Sequence, residues 1–217
     1  MNQNMKRALK KEELFSNWSA LHGDAEVKGI VRAWLNISFC ISRPLILLKF
    51  SPNSLSLLSI LAAAGFLLAV ESHSAIALLV LSLLLDGIDG TVAIATGKSS
   101  KFGALVDSVS DRLVEGLWAI ALYLLGAPWQ VVVTAWLAAF VQEYLRARVG
   151  GLGVNQVLFV TWCERPVRAT LIFIPLIGRL FGFDLFELAS WVWATMQVTS
   201  ALMLFNLLRL RLKQSQR

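Results

Sequence analysis

The chain has 217 residues, of which 57% are hydrophobic and 16% are charged, with a formal net charge of +6. A mean hydropathy of +0.66 is too high for a soluble domain of this length, and it excludes that class of protein. We therefore expect a membrane protein that forms one bundle, because no linker or low-complexity segment divides the sequence. We expect no nucleic-acid partner.

The first 50 residues are predicted to lie outside the bilayer core. Residues 1–28 are polar and lack the apolar core and cleavage site of a signal peptide, so we expect a cytoplasmic tail. Residues 24–50 mix apolar and basic side chains, which favours an amphipathic helix lying in the membrane interface, broken or kinked at Pro44. Ser51-Pro52-Asn53 then predicts a turn and a helix start. We divide the chain into this segment, 1–50, and a membrane domain, 51–217.

The apolar runs that follow predict six transmembrane helices, so the expected fold is all-α. Of the 20 Lys and Arg residues, only Arg179 lies in a loop or helix end assigned to the outer side. The positive-inside rule therefore places both termini in the cytoplasm of a multi-pass protein of the cell membrane. The six spans are predicted at about 53–70, 75–96, 100–125, 129–149, 166–182 and 187–208.

Four aspartates interrupt the second and third spans. Asp86 and Asp89 are three residues apart and Asp107 and Asp111 four apart, so each pair occupies one face of a helix. The polar segment 96–101 between the pairs predicts a tight turn and hence a helical hairpin, in which Asp89 lies opposite Asp107 and Asp86 opposite Asp111. Ionised groups inside an apolar span need compensation. All four carboxylates are therefore expected to converge on bound cations.

This hairpin resembles the signature of the CDP-alcohol phosphatidyltransferases, integral membrane enzymes of phospholipid synthesis. Besides the four aspartates, the residues that carry the resemblance are Gly90, Ala93 and Gly103. The family pattern has an arginine directly after the alanine, where this chain has Ile94. The match covers residues 52–170, and it leaves every aspartate of the pattern intact.

The resemblance implies transfer of a phosphatidyl group from CDP-diacylglycerol to an alcohol, with release of CMP. It implies two divalent cations, Mg²⁺ or Mn²⁺, held chiefly by Asp86, Asp89 and Asp107. Asp111 is then both a metal ligand and the general base that takes the proton of the acceptor hydroxyl. The small residues of the signature leave room for the donor nucleotide. Family members are commonly homodimers, which makes a homodimer a further expectation.

A second basic stretch joins the fourth and fifth spans. Arg146 and Arg148 close one span, and Arg165 and Arg168 open the next on one helical face, so four guanidinium groups lie at one level near the cytoplasmic side. Guanidinium groups bind phosphate bidentately, but the same charges could simply anchor the protein to anionic lipid. The family resemblance favours an acceptor that carries a phosphate, such as glycerol 3-phosphate or inositol phosphate.

Two alternatives stay open at this stage. Intramembrane carboxylates also mark cation and proton transporters, although a relay spreads its acids across the bilayer whereas these gather at one depth. The chain could also be a family member with lost or altered activity, because Ile94 occupies the position where the family pattern has an arginine. For the remaining groups, we expect Glu143 to pair with an arginine, Glu115 to pair with Arg112 or support the metal site, and both cysteines to be reduced.

Overall fold

The structure is a computed structural model that describes residues 10–21, 26–152 and 160–214. Every regular element in these ranges is helical, which confirms the all-α fold. The described residues form eight helices: α1 (Lys11–Leu21), α2 (Gly29–Leu47), α3 (Pro52–Leu68), α4 (Ser74–Thr96), α5 (Lys101–Leu124), α6 (Trp129–Gly150), α7 (Arg165–Leu180) and α8 (Phe186–Gln214).

The last six helices coincide with the six predicted spans. Most of their ends lie within two residues of the predicted ones, and the largest difference is at the C-terminal end of α8, which continues to Gln214. Helix α1 was not predicted, because its residues carry little amphipathic pattern. The tail residues before Lys10 lie outside the described residues.

Two expectations for the region before α3 had different outcomes. Of the two outcomes predicted at Pro44, the break is wrong, because α2 continues past this residue to Leu47, and the kink stays a prediction. Pro44 has no backbone N–H to donate to the Cys40 carbonyl four residues earlier, and only three residues of α2 follow it, so one helical hydrogen bond is lost near the end of the helix. The predicted helix start at Ser51 is confirmed. The Ser51 hydroxyl accepts a hydrogen bond from the Ser54 amide at 3.1 Å, and the Ser51 amide donates to the Ser54 hydroxyl at 3.0 Å, a reciprocal cap.

The described helices form two compact units. The first unit comprises Met1–Gly65 and Ala77–Val114. Its core is the contact of α2 and α3 with α4, where Ile46, Leu55, Ile88 and Val92 are buried together. Buried serines join α3 to α4: the Ser59 hydroxyl donates to the Ser82 carbonyl at 3.0 Å, and the Ser82 hydroxyl donates to the Ser59 carbonyl at 2.9 Å. Such small polar contacts allow close approach of helices in an apolar environment.

The second unit comprises Phe66–Ile76 and Glu115–Arg217. Helix α8 packs along α6 and also contacts α7. Near the ends of α6 and α8, Val149, Leu204 and Leu208 form a buried apolar cluster. Polar side chains are also buried between these helices, among them Gln142 and Gln197, whose amides hydrogen bond at 2.9 Å.

Two described helices, Ser74–Thr96 and Phe186–Lys213, are long and apolar enough by themselves to cross a membrane. Val31–Leu47 and Pro52–Leu68 meet this criterion only as a pair that bends by 108°. Helix α7 is 16 residues long, which is short for a span, and α5 carries five charged residues. The apolar helices accord with a membrane protein, and the full set of six spans stays a prediction.

Candidate active site

The turn of the aspartate hairpin is shaped by one glycine and one serine. Helix α4 ends at Thr96, and Gly97 follows with a φ of 65°, a left-handed conformation that glycine adopts without steric cost. The Ser100 hydroxyl then accepts a hydrogen bond from the Gly103 amide at 3.0 Å, which caps the first turn of α5. The predicted hairpin is thus present, with a four-residue connection at 97–100.

Three of the four aspartates form one group. Carboxylate oxygens of Asp86, Asp107 and Asp111 all lie within 4.8 Å of one another, and all three residues are half-buried. Like charges this close repel one another strongly unless a cation lies between them. Carboxylate oxygens are also the ligands that Mg²⁺ and Mn²⁺ prefer. The donor set therefore fits a divalent cation, and Asp111 additionally contacts the guanidinium of Arg112 at 3.5 Å.

Asp89 is held differently from the other three. It is 5% exposed, and its carboxylate accepts a short hydrogen bond from the hydroxyl of Ser56 in α3. It lies outside the group of three carboxylates, although all four were expected to converge. Sequence reasoning missed Ser56, although a serine one helical turn beyond Pro52 in an apolar helix was the available signal.

A cavity of about 200 Å³ opens beside the aspartates, between the first turn of α3 and the hairpin. Asp89 and Asp107 lie in its wall, so the cavity and the carboxylate group share Asp107. The three small residues predicted to contact the donor nucleotide all line it. The remaining lining residues are Pro52, Asn53, Ser56, Ile94, Lys98, Ser99, Ser100 and Ala104.

The two glycines of this cavity differ in the space around them. A Cβ atom added at Gly90 would meet nothing within 4 Å, so any side chain there would point into the open cavity. A Cβ atom at Gly103 would lie 3.1 Å from the Ser100 hydroxyl and 3.5 Å from the Asn53 amide oxygen. Gly103 therefore allows close approach of the α5 cap and the α3 start, whereas Gly90 keeps volume free.

The four arginines of the basic stretch lie in the second unit, and their environments differ. Arg168 is 1% exposed and forms ion pairs with Glu115 at 2.8 Å and with Glu143 at 3.4 Å. Arg165 is half-buried, with its guanidinium 5.9 Å from the centre of the Trp118 ring. Arg148, at the end of α6, is exposed.

Arg146 pairs with two glutamates, Glu143 at 3.3 Å and Glu164 at 2.5 Å. Burial alone would raise the pKa of Glu164, but hydrogen bonds from Arg146 and Thr161 lower it to about 2. A carboxyl whose pKa falls on folding stabilises the folded state above its ordinary pKa, and this contribution disappears as the pH falls towards 2. The pair is therefore intact at neutral pH.

The remaining expectations for this region can now be judged. Glu143 pairs with arginines, as predicted. For Glu115 the structure identifies Arg168 as a salt-bridge partner, which the sequence did not indicate, because the two residues are 53 positions apart. Both cysteines are free, as predicted. Burial raises the pKa of the Cys163 thiol to about 11, so this thiol stays protonated and unreactive.

Arg168→Met is expected to lower the free energy of unfolding by about 3–5 kcal/mol, because it removes the cation from a fully buried carboxylate. The double variant Arg168→Met/Glu115→Leu is expected to recover most of this loss. Denaturant unfolding in detergent micelles measures both. Arg179→Met is the matched control: its partner Glu71 is exposed, and exposed pairs contribute at most about 1 kcal/mol. Equal losses for Arg168 and Arg179 would contradict the assignment.

Comparison with known proteins identifies the family. Residues 49–207 match the model of the CDP-alcohol phosphatidyltransferase family, which is most of the chain. The chain belongs to this family, and the predicted membership and enzyme class are confirmed. The alternative of a cation or proton transporter is accordingly dropped.

Curated relatives agree with this assignment. An archaetidylinositol phosphate synthase of Aeropyrum pernix is 37% identical over 107 residues, which cover 48% of this chain and 55% of the relative. The synthase of the same name from Pyrococcus horikoshii is 32% identical over 161 residues, covering 71% of this chain and 84% of the relative. The match therefore spans about half the length of the first relative and most of the second.

The fold resembles a solved enzyme. The crystal structure of Mycobacterium tuberculosis phosphatidylinositol phosphate synthase with CDP-DAG bound has a TM-score of 0.67 at 20% identity, covering 79% of this chain and 92% of that one. A second structure of that enzyme is a complex with manganese and citrate. At this identity the likeness supports the fold.

Proposed function

We propose that this protein transfers a phosphatidyl group from CDP-diacylglycerol to a phosphorylated alcohol and releases CMP. The observation that carries the proposal is the shared position of Asp107, which belongs both to the carboxylate group and to the cavity lined by Gly90, Ala93 and Gly103. A nucleotide diphosphate in this cavity would bring its phosphates to the aspartates. The relatives named above are synthases of inositol phosphate lipids, which supports a phosphorylated acceptor.

Asp86, Asp107 and Asp111 would hold the divalent cations, with Asp89 contributing from the cavity wall. Two ions, Mg²⁺ or Mn²⁺, are proposed because four carboxylates and a pyrophosphate carry more negative charge than one ion offsets. When bound, these ions supply charge neutralisation at the pyrophosphate and polarise the phosphorus towards attack. The Ser56 hydroxyl fixes one Asp89 oxygen and so orients the carboxylate.

Asp111 is the proposed general base. The acceptor hydroxyl gives its proton to the Asp111 carboxylate, and its oxygen forms a bond to the phosphorus that carries the lipid. The bond from that phosphorus to the bridging oxygen breaks, and CMP leaves with the electron pair. The product is a phosphodiester. The Arg112 guanidinium lies 3.5 Å from the Asp111 carboxylate.

For the acceptor phosphate we propose contacts from Arg148, which is exposed, and from Arg165, which is half-buried beside the Trp118 ring. Arg146 and Arg168 were grouped with them from the sequence. Because these two form ion pairs with glutamates, we propose that they hold the ends of α6 and α7 in place rather than bind phosphate by themselves.

We further propose that α3 to α8 cross the membrane as six spans with both termini in the cytoplasm, and that α2 lies in the interface. The 108° bend between Val31–Leu47 and Pro52–Leu68 supports the latter, since a helix nearly perpendicular to a span lies along the membrane surface. A homodimer stays a proposal from the family resemblance alone.

Release of CMP by the purified protein tests the function directly. The protein with Mn²⁺ and CDP-diacylglycerol is given glycerol 3-phosphate, inositol 1-phosphate, inositol or serine in turn. We expect CMP release with a phosphorylated acceptor and little with inositol or serine. Release with serine or unphosphorylated inositol alone would refute the phosphorylated acceptor. No release with any acceptor would favour a member of altered activity, for which Ile94 in the cavity wall is the motive.

Arg165→Gln is expected to raise the acceptor KM about tenfold, because a charge-assisted hydrogen bond contributes about 1.5–3 kcal/mol. The donor KM should stay unchanged. Both constants are measured with the acceptor that the screen identifies. Equal increases in the two constants would mean that Arg165 has no specific contact with the acceptor, and Arg179→Gln, outside the basic stretch, is the control for loss of a positive charge.

Gly90→Leu is expected to raise the donor KM tenfold or more, which corresponds to a loss of about 1.4 kcal/mol in the free energy of donor binding. The reason is that the new side chain occupies the cavity without clashing elsewhere, so the unfolding temperature should not fall. Gly150→Leu is the matched control, because a Cβ atom there also meets nothing within 4 Å but lies outside the cavity. A normal donor KM for Gly90→Leu would place the nucleotide elsewhere.

A further inference from the structure

The flank of α4 beside the aspartate pair is covered by α2. Gly87 directly follows Asp86, and a Cβ atom added at Gly87 would lie 2.5 Å from the Cζ2 atom of the Trp34 indole. Real Cβ atoms do not approach a ring carbon so closely, so the indole lies directly against bare backbone. Only glycine at this position allows α2 to contact α4 in this way.

A second contact lies one turn further along α4. The Thr91 hydroxyl donates a hydrogen bond to the Ser38 hydroxyl of α2 at 3.1 Å. Both residues are buried, with Ser38 0% and Thr91 5% exposed. Because side chains four residues apart share a helix face, the Trp34 and Ser38 contacts fall on one flank of α4. Along the chain, Asp86 directly precedes Gly87, and Asp89 lies between Gly87 and Thr91.

The remaining buried residues of α2 continue the same stripe. Leu35, Phe39, Ser42 and Ile46 are all buried, and Ile46 joins the cluster formed with Ile88 and Val92 of α4. Trp34 itself keeps 39% of its surface exposed. Trp34 therefore affects the structure mainly through the position of its ring over Gly87, and less through the apolar area that it buries.

We propose that Trp34 is a positioning residue of the metal site, which acts by holding α4 through Gly87, with Ser38 as a second anchor through Thr91. This inference rests on the proposed function in that it takes Asp86 and Asp89 to serve a cation. The contact fixes the rotation of α4 about its own axis, and a small rotation would move both carboxylates at once. Neither Trp34 nor Ser38 lines the cavity or belongs to the carboxylate group.

A double-mutant cycle tests this assignment, with Mn²⁺ alone as the probe. Gly87→Ala forces the indole away, Trp34→Ala removes the indole, and the double variant has the methyl group with no ring to meet. The dissociation constant for Mn²⁺ is measured by electron paramagnetic resonance on the full-length protein in detergent, alongside the unfolding temperature. Gly116→Ala is the matched control, because its Cβ would lie 3.5 Å from the Trp136 ring, an ordinary contact distance.

We expect Gly87→Ala and Trp34→Ala each to weaken Mn²⁺ binding about tenfold, the effect of losing a residue that supports metal ligands. The double variant should bind Mn²⁺ no more weakly than Trp34→Ala, and Trp34→Phe should recover part of the loss. Multiplied losses in the double variant, or unchanged Mn²⁺ binding in Gly87→Ala, would overturn the proposal. If Gly87→Ala does not fold, Trp34→Ala and Trp34→Phe still decide it, since unchanged Mn²⁺ binding in both refutes a positioning role.

The same variants separate this proposal from the proposed reaction. If the wild-type protein binds Mn²⁺ with the predicted dependence on Trp34 but releases no CMP, the reaction is wrong and the positioning role stands. If it releases CMP while the dissociation constant for Mn²⁺ is the same in the Trp34 and Gly87 variants as in the wild-type protein, the reaction stands and the positioning role is wrong. In an active enzyme, the Mn²⁺ concentration for half-maximal rate should follow the dissociation constants.

Discussion

Replacing Asp107 with asparagine is expected to lower CMP release by more than about 100-fold, above the range measured for residues that only support metal ligands. The change keeps the size of the side chain and removes one charge from a site where three carboxylates lie within 4.8 Å. Less charge repulsion in the folded state means that the variant should be at least as stable as the wild-type protein. Mn²⁺ binding and CMP release are measured on the same preparation.

Asp184→Asn is the control for Asp107→Asn, because Asp184 lies in the loop before α8 and outside the carboxylate group. It should keep full activity. Near-normal turnover of Asp107→Asn at saturating Mn²⁺ would refute the metal assignment. Asp89→Asn separates the effect of charge from that of hydrogen bonding, because it removes the negative charge while the asparagine oxygen can still accept the hydrogen bond from Ser56.

Asp111→Asn is expected to slow the chemical step by about 10²–10⁴-fold, the usual contribution of general base catalysis. Donor binding should change less, because a base acts mainly in the transition state. Single-turnover rates with bound donor separate the two effects. Loss of donor binding with a normal rate in the bound complex would make Asp111 a metal ligand only.

The hairpin and its aspartates could be predicted from the sequence because both depend on local rules. Helical periodicity and the Gly97 turn determine which faces meet, and charge in an apolar segment marks the site. The exception is Asp89: its partner Ser56 is 33 positions away in sequence, and no local pattern specifies which helix packs against α4. Contacts between distant helices depend on side-chain packing, which periodicity does not determine.

The arginines show the same limit in the second unit. Spacing alone placed four guanidinium groups at one level, and that grouping treated them as equivalent. The structure gives them different surroundings: Glu115 and Glu143 meet Arg168 in the interior, and Arg165 lies beside the Trp118 ring. Glu164 is adjacent to Arg165 in sequence, yet it pairs with Arg146. The number and spacing of basic residues therefore do not show which arginine forms an ion pair inside the protein.

The contact of Trp34 with Gly87 has a practical consequence for where the protein can be cut. The family match begins at residue 49, so a recombinant fragment designed on that boundary would omit α2 entirely. Such a fragment would keep all four aspartates and the cavity residues, yet it would expose the bare backbone at Gly87 and the buried hydroxyl of Thr91. We therefore expect the smallest stable fragment that still binds a metal ion to begin one helix before the start of the family match.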